Sequence, residues 1–138
     1  MRLPRIRRRL KVESFNAKWH DLQSYCASRK TWPKAITEAD KLLDKALKQR
    51  GFKGKSTGER LVSAQKSLSF NEEVWFSHKY SKKLSEDDKI DVRKLKKKDV
   101  AMALAGFREA LRDLGALEKV SRTKAIKNKV VKRKNDKS

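Results

Sequence analysis

One amphipathic stretch, residues 32–51, largely decides what this chain can fold into. It reads WPKAITEADKLLDKALKQRG, and its proline suits the first turn of a helix because the missing N–H would have no partner there. Apolar residues then recur at spacings of three and four, which places them on one helical face. These residues are Ile36, Ala39, Leu43, Ala46 and Leu47. Gly51 can end the helix with a positive φ, and other segments must cover a stripe this wide.

Four further segments carry helical patterns, and we find no strand pattern. The first is predicted from about Ser14 to about Arg29, with Phe15, Trp19, Leu22 and Cys26 on one face. A short helix is predicted from Ser56 to about Ser67, opened by a capping box of Ser56 with Glu59. Its buried residues are expected to be Leu61, Ala64 and Leu68.

The last two helices follow a second capping signal. Asn71 is predicted to cap a helix over about residues 72–84, with acids in its first turn. Its inward candidates are Val74, Trp75, His78 and Leu84. Residues 85–97 are charged and non-periodic, and we predict a surface loop there. A final helix over about residues 98–114 carries Val100, Leu104, Phe107, Leu111 and Leu114, and Gly115 ends it.

These patterns predict an all-α fold, a small antiparallel bundle of four to five helices. The bundle is predicted over residues 12–117, with a basic, flexible arm at residues 1–11 and another at residues 118–138. The chain has 138 residues, a length that suits one domain. No run of about 18 apolar residues occurs, so we expect no membrane span, and the basic start lacks the apolar region of a secretory signal.

The net charge is +21, and much of it lies in the two arms. Residues 1–11 hold six cations and no acid, and residues 118–138 hold nine cations against two acids. Such a charge repels itself in a compact chain unless a polyanion neutralises it. Nucleic acid is the first candidate partner, and an anionic membrane surface is less favoured because neither arm has an apolar face that would insert.

The predicted phosphate contacts lie in these arms. Arginine dominates the first arm, and a guanidinium can bind phosphate with two hydrogen bonds or stack on a base. The predicted contacts are Arg2, Arg5, Arg7, Arg8, Arg9 and Lys11 in the first arm, and Lys124, Lys127, Lys129, Lys132, Arg133 and Lys134 in the second. Trp32 and Trp75 could also stack on bases, but at a helix start or on an apolar stripe we expect them in the core.

No catalytic residue, metal ligand or cofactor is predicted. Cys26 is the single cysteine, so no internal disulfide is possible, and its place among apolar residues favours a core role. His20 has no second ligand at metal-binding spacing. His78 is expected to be a half-buried packing residue and not a base. A reducing, cytoplasmic location fits this cysteine usage.

Three segments resemble the HEPN superfamily of small helical bundles over about residues 32–114. They are W-x3-I-x-E-A-D-K-L-L-D (residues 32–44), G-F-K-G-K-S-T-G-E-R-L (51–61) and V-W-x2-H-K (74–79). Catalytic relatives continue from the last segment into an arginine followed by four to six residues and a histidine. Here Ser81 stands in place of the arginine and Glu86 in place of the histidine. The resemblance therefore implies a bundle that has lost RNA cleavage.

We predict a non-catalytic RNA-binding protein, most specifically a ribosomal or ribosome-associated component. Its arms would bind structured RNA, and ribosomal RNA first, with neighbouring ribosomal proteins as further partners and no small-molecule substrate. The alternatives are a HEPN-type RNase or toxin-related protein and a nucleoid or protein-interaction module. Metal-independent cleavage needs a group that activates the 2′-hydroxyl, and its absence argues against the first of these.

Overall fold

The computed structural model describes residues 9–87 and 89–118, and within these residues the fold is all-α, as predicted. Its five α-helices are α1 (Val12–Gln23), α2 (Trp32–Gln49), α3 (Thr57–Ser63), α4 (Asn71–Glu86) and α5 (Lys97–Asp113). Short 3-10 turns lie at Ser24–Ala27, Arg29–Thr31, Gln65–Ser67 and Val92–Lys94. No strand occurs in the described part of the chain.

Helix α2 is the centre of the bundle, because α1, α3, α4 and α5 all pack against it. The five predicted stripe residues, Ile36, Ala39, Leu43, Ala46 and Leu47, are all fully buried. Proline lies in the first turn, and Gly51 ends the helix region with φ +87°. Burying aliphatic side chains stabilises the fold by roughly 1.5–3 kcal/mol each. The central role that the sequence predicts for this helix is confirmed.

Helices α4 and α5 form the most extensive helix pair. Ser77 is fully buried between them, and its hydroxyl lies 2.6 Å from the Ala103 carbonyl oxygen on α5 and 3.0 Å from that of Glu73. A Cβ added to Gly106 would overlap Ser77 Oγ and lie 2.6 Å from the Glu73 carbonyl oxygen. Only glycine allows this approach. Ser77 was not among the predicted inward residues, since a serine adds nothing to an apolar stripe.

The first helix ends earlier than predicted. α1 stops at Gln23, and Cys26 lies half-buried in the following 3-10 turn and not on the face of α1. The reason lies in the start of α2. Thr31 Oγ1 donates to the Tyr25 carbonyl at 2.6 Å, and Trp32 Nε1 donates to the Cys26 carbonyl at 2.9 Å. Side chains from the next segment thus satisfy carbonyls that a longer helix would have used.

The predicted caps have different outcomes. Ser56 accepts from the Glu59 N–H at 3.2 Å, so the N-cap of α3 is confirmed, and Glu59 in turn accepts from the Lys55 N–H.

The cap predicted at Asn71 is wrong. Phe70 occupies the N-cap position of α4, while the Asn71 amide donates to the carbonyls of Gln65 and Leu68. The asparagine therefore holds the preceding loop instead of capping the helix.

The connection before α5 is shorter and better packed than a plain loop. α4 continues to Glu86, and the turn Val92–Lys94 follows. Ile90 and Leu95, both half-buried, pack against the core.

At the other end of the fold, Leu10 is buried within the segment predicted as an arm. A charged segment can thus contain single apolar anchors that its composition does not reveal.

Candidate nucleic-acid interface

Two of the predicted phosphate contacts, Arg9 and Lys11, lie within the described residues, and both are exposed. They line a shallow depression with Ser14, Phe15, Lys45 and Gln49, where the start of α1 meets the end of α2. The other predicted contacts lie outside the described residues. They are Arg2, Arg5, Arg7, Arg8, Lys124, Lys127, Lys129, Lys132, Arg133 and Lys134.

A groove runs from this depression along the line where α1 meets α2. The two helices are antiparallel: Lys45 Nζ lies 5.9 Å from the centre of the Phe15 ring near one end. Near the other end, Lys34 Nζ lies 4.7 Å from the centre of the Tyr25 ring. A second depression, lined by residues of both helices, shares Lys45 with the first and continues the groove. Its lining includes Lys18, Asp21, Tyr25, Glu38 and Lys41.

The groove carries more positive charge than its carboxylates neutralise. Lys41 pairs with Glu38 at 3.3 Å, which leaves Asp21 as the other acid in the lining. Four cations of the groove, Arg9, Lys11, Lys18 and Lys45, have no ion-pair partner among the described residues. Cations without local partners can bind the phosphate groups of a nucleic acid. This binding releases the counterions that are condensed on the nucleic acid.

Lys18 and Lys45 are site residues that the sequence analysis did not identify. The signal was present, because each lies on an exposed helical face beside an apolar stripe. Which exposed face would meet another helix could not be read from either helix alone. The antiparallel pairing of α1 with α2 brings Lys45 and Lys18 into one groove with the last residues of the first arm.

His78 is held by a carboxylate. Its Nδ1 lies 3.0 Å from Asp40 Oδ1 and 3.3 Å from Asp40 Oδ2, and both side chains are largely buried. The Trp75 ring meets the imidazole edge-on, with ring centres 6.0 Å apart. The pair joins α4 to α2, in keeping with the predicted packing role. An aspartate–histidine pair can also orient a base, but no arginine lies at the position one turn further along α4.

That position is Ser81, which is 2% exposed. An arginine there would point into the core and not toward a substrate. Glu86 is exposed at the last residue of α4. The lysines of α4 can bind phosphate, but this helix does not present an arginine and a histidine together.

Trp32 contributes packing, whereas Cys26 is half-buried and lies outside the buried core in which it was predicted. Trp32 is buried, as predicted, and the Arg29 guanidinium lies 4.4 Å from the centre of its ring. Trp75 is half-buried and packs against the core. Burial raises the pKa of the Cys26 thiol, which disfavours the thiolate that a nucleophile needs.

Within residues 9–87 and 89–118, no group of three potential ligands could hold a metal ion. No helix in this part of the chain has the length and apolar character to cross a bilayer. Comparison with models of protein families, with characterised proteins and with solved structures found no match to this chain.

Proposed function

We propose that this protein binds structured RNA without cleaving it, and that its RNA is ribosomal. The observation that carries the proposal is the groove between α1 and α2, where Arg9, Lys11, Lys18 and Lys45 have no carboxylate partner within residues 9–87 and 89–118. The groove begins where the arginine-rich residues 1–8 join the fold. A basic stretch of sequence directly before a basic groove supplies many cations for a phosphate backbone.

Recognition in this proposal depends on backbone charge and shape. The described helices contain no base-reading module, and Trp32 is occupied by the core and by Arg29. Lysines and arginines that meet phosphates fix position and affinity but carry no sequence information directly. Structured RNA is favoured because arginine-rich segments commonly bind it. The protein would act in the cytoplasm, beside the ribosome.

The absence of cleavage is supported by the surroundings of His78. Its Nδ1 is engaged by Asp40, and the residue one turn onward is the buried Ser81. Cleavage would need a cation at the phosphate and a base at the 2′-hydroxyl within reach of each other. The alternative is a HEPN-type RNase activity. An RNA-cleavage assay on the pure full-length protein would reveal it.

The decisive experiment is sedimentation of cell lysate through a sucrose gradient at low and at high salt, with detection of this protein in each fraction. We expect it to travel with one ribosomal subunit and to remain there in high salt. A protein that stays at the top of the gradient even at low salt would contradict the ribosomal proposal. Equal affinity of the pure protein for duplex DNA and structured RNA would instead favour the nucleoid alternative.

A further inference from the structure

A second group of exposed cations lies at the end of the bundle where α2 begins. They come from the 3-10 turn Arg29–Thr31, from the turn Val92–Lys94 and from the start of α5. We call them the loop-end cluster: Arg29, Lys30, Lys94, Lys96, Lys97 and Lys98, all exposed. The run from Lys94 to Lys98 is visible in the sequence, but its meeting with residues 29 and 30 is a product of the fold.

Arg29 joins the two turns. Its guanidinium donates to the Leu95 carbonyl and lies over the Trp32 ring at 4.4 Å. The two turns also contact each other directly. Arg29 therefore holds the segment around Leu95 against the start of α2, and the neighbouring lysines are brought to the same end of the molecule.

The cluster has little neutralising charge. The nearest acids in the sequence are Asp99, which directly follows Lys98, and Asp91, which is already bound by the Arg93 side chain at 3.1 and 3.3 Å. This hydrogen bonding lowers the pKa of Asp91 and keeps its carboxylate committed to Arg93. The five lysines of the cluster form no ion pair with the described carboxylates. Three of them, Lys96, Lys97 and Lys98, also lie at the positive end of α5, where Asp99 supplies one negative charge against three positive ones.

The groove between α1 and α2 leads to this cluster. It begins at Arg9 and Lys45, passes Lys18, and reaches Tyr25 with Lys34 over its ring. Lys34 lies in the first turn of α2, four residues after Lys30 in the chain. Since α2 has 18 residues, the distance covered along it is about 27 Å.

We propose that the groove and the loop-end cluster form one continuous track that binds a single stretch of RNA. This inference rests on the proposed RNA-binding function and extends it by giving the binding site a length. At an advance of about 3.4 Å along the duplex axis per nucleotide of one strand, the track spans about eight nucleotides. The loop-end lysines then contact the same RNA that the groove holds, at the opposite end of the footprint.

The test compares two triple variants of the full-length chain. Lys94→Gln, Lys96→Gln and Lys97→Gln together remove charge from the cluster. The matched control, Lys66→Gln, Lys79→Gln and Lys82→Gln, removes the same charge from exposed lysines on the turn Gln65–Ser67 and on α4, which are not part of the track. Affinity is measured against salt for synthetic RNA hairpins with stems of 4 and of 12 base pairs. A thermal melt of each variant confirms folding.

With the long stem, we expect the cluster variant to lower the slope of log K against log salt by about 2–3, at roughly 0.7–0.9 for each lost phosphate contact. The short stem should show a smaller change because it cannot reach both ends of the track, and the control variant should change the slope by less than about 1. Equal effects of the two variants would overturn the track. Simultaneous binding of two long hairpins by one protein would overturn it too.

Failure of the broader proposal looks different. If the unmodified protein binds neither hairpin, RNA binding itself is wrong. If it binds both hairpins and the cluster variant binds them with unchanged salt dependence, RNA binding stands and only the track is wrong.

Discussion

The α4–α5 seam and the α1–α2 groove are both contacts between antiparallel helices. Small uncharged residues line the seam, whereas long charged side chains flank the groove. In the seam, Gly106, Ala103 and the buried Ser77 let the two backbones approach closely. In the groove, Phe15 and Leu22 are buried beneath, while the long side chains of Lys18 and Lys45 remain outside. Small residues close the gap between helices, whereas charged residues with long stems keep it open to solvent.

The comparison separates stability from function. The seam leaves no room for a ligand and carries no charge at its closest approach, so changes there should act on folding. The groove is open and has cations without partners in the described structure, so changes there should act on binding.

The largest effect is expected from Phe107→Ala, next to Gly106 on the seam. Phe107 is fully buried, and truncation of a buried phenylalanine removes its transfer energy and leaves a cavity. We expect the free energy of unfolding to fall by about 3–5 kcal/mol, measured by urea denaturation. Met102→Ala on the same helix is the control, because Met102 is 47% exposed and its loss should cost within about 0.5 kcal/mol. Comparable losses in the two variants would mean that the seam is not packed as described.

A smaller loss is expected from Gly106→Ala. The added methyl group would overlap Ser77 Oγ and approach the Glu73 carbonyl, so the helices must separate. We expect the free energy of unfolding to fall by about 1–3 kcal/mol, as for other overpacked cores, even though alanine favours helix. Gly58→Ala in α3 is the matched control: its Cβ would meet the Trp75 ring at 3.7 Å and Ser56 Oγ at 3.8 Å, both ordinary contact distances. If the free energy of unfolding of the Gly106→Ala protein equals that of the unmodified protein, the two helices have room for the added methyl group.

The groove is tested by Lys18→Gln combined with Lys45→Gln. Both lysines are exposed, so we expect the free energy of unfolding to change by less than about 0.5 kcal/mol. The slope of log K against log salt for structured RNA should fall by about 1.4–1.8, because two phosphate contacts are lost. Lys66→Gln with Lys79→Gln provides the same change of charge elsewhere on the surface. If that pair lowers the slope as much, the groove is not the binding site.

The smallest effect concerns Tyr80, which lies on α4 near Asp99 of α5. Burial raises the pKa of the Tyr80 phenol, and the negative charge of Asp99 raises it further. We expect Asp99→Asn to lower this pKa while leaving it above the ordinary value of 10.0, since burial remains. The chain has two tyrosines, so absorbance titration in a Tyr25→Phe background reports on Tyr80 alone.

The sign of the accompanying pH effect follows from the raised pKa. The folded state holds the Tyr80 proton more tightly than the unfolded state does. Its contribution to stability is therefore fully present below the unfolded pKa, near pH 10, and is lost as pH rises through the folded pKa. Asp99→Asn should make this loss smaller. An unchanged titration would place Asp99 too far from Tyr80 to belong to the same seam.

Much of the bundle could be predicted because its signals are local. The stripe of α2, the serine cap of α3 and the two glycines with positive φ each depend on residues within a few positions of one another. Predictions failed where a distant or following segment competed for the same groups. Thr31 and Trp32 took the carbonyls that would have prolonged α1, and the amide of Asn71 bonded backward instead of capping.

The sequence by itself determined the helical class, the central helix and the large excess of positive charge. It did so because periodicity, capping and net charge are properties of composition and near neighbours. Only the tertiary structure decided that α1 lies antiparallel to α2, that Lys18 and Lys45 share a groove with Arg9, and that Arg29 draws the Leu95 segment to the start of α2. These relations join residues up to 66 positions apart, and they arise from packing, which no single helix encodes.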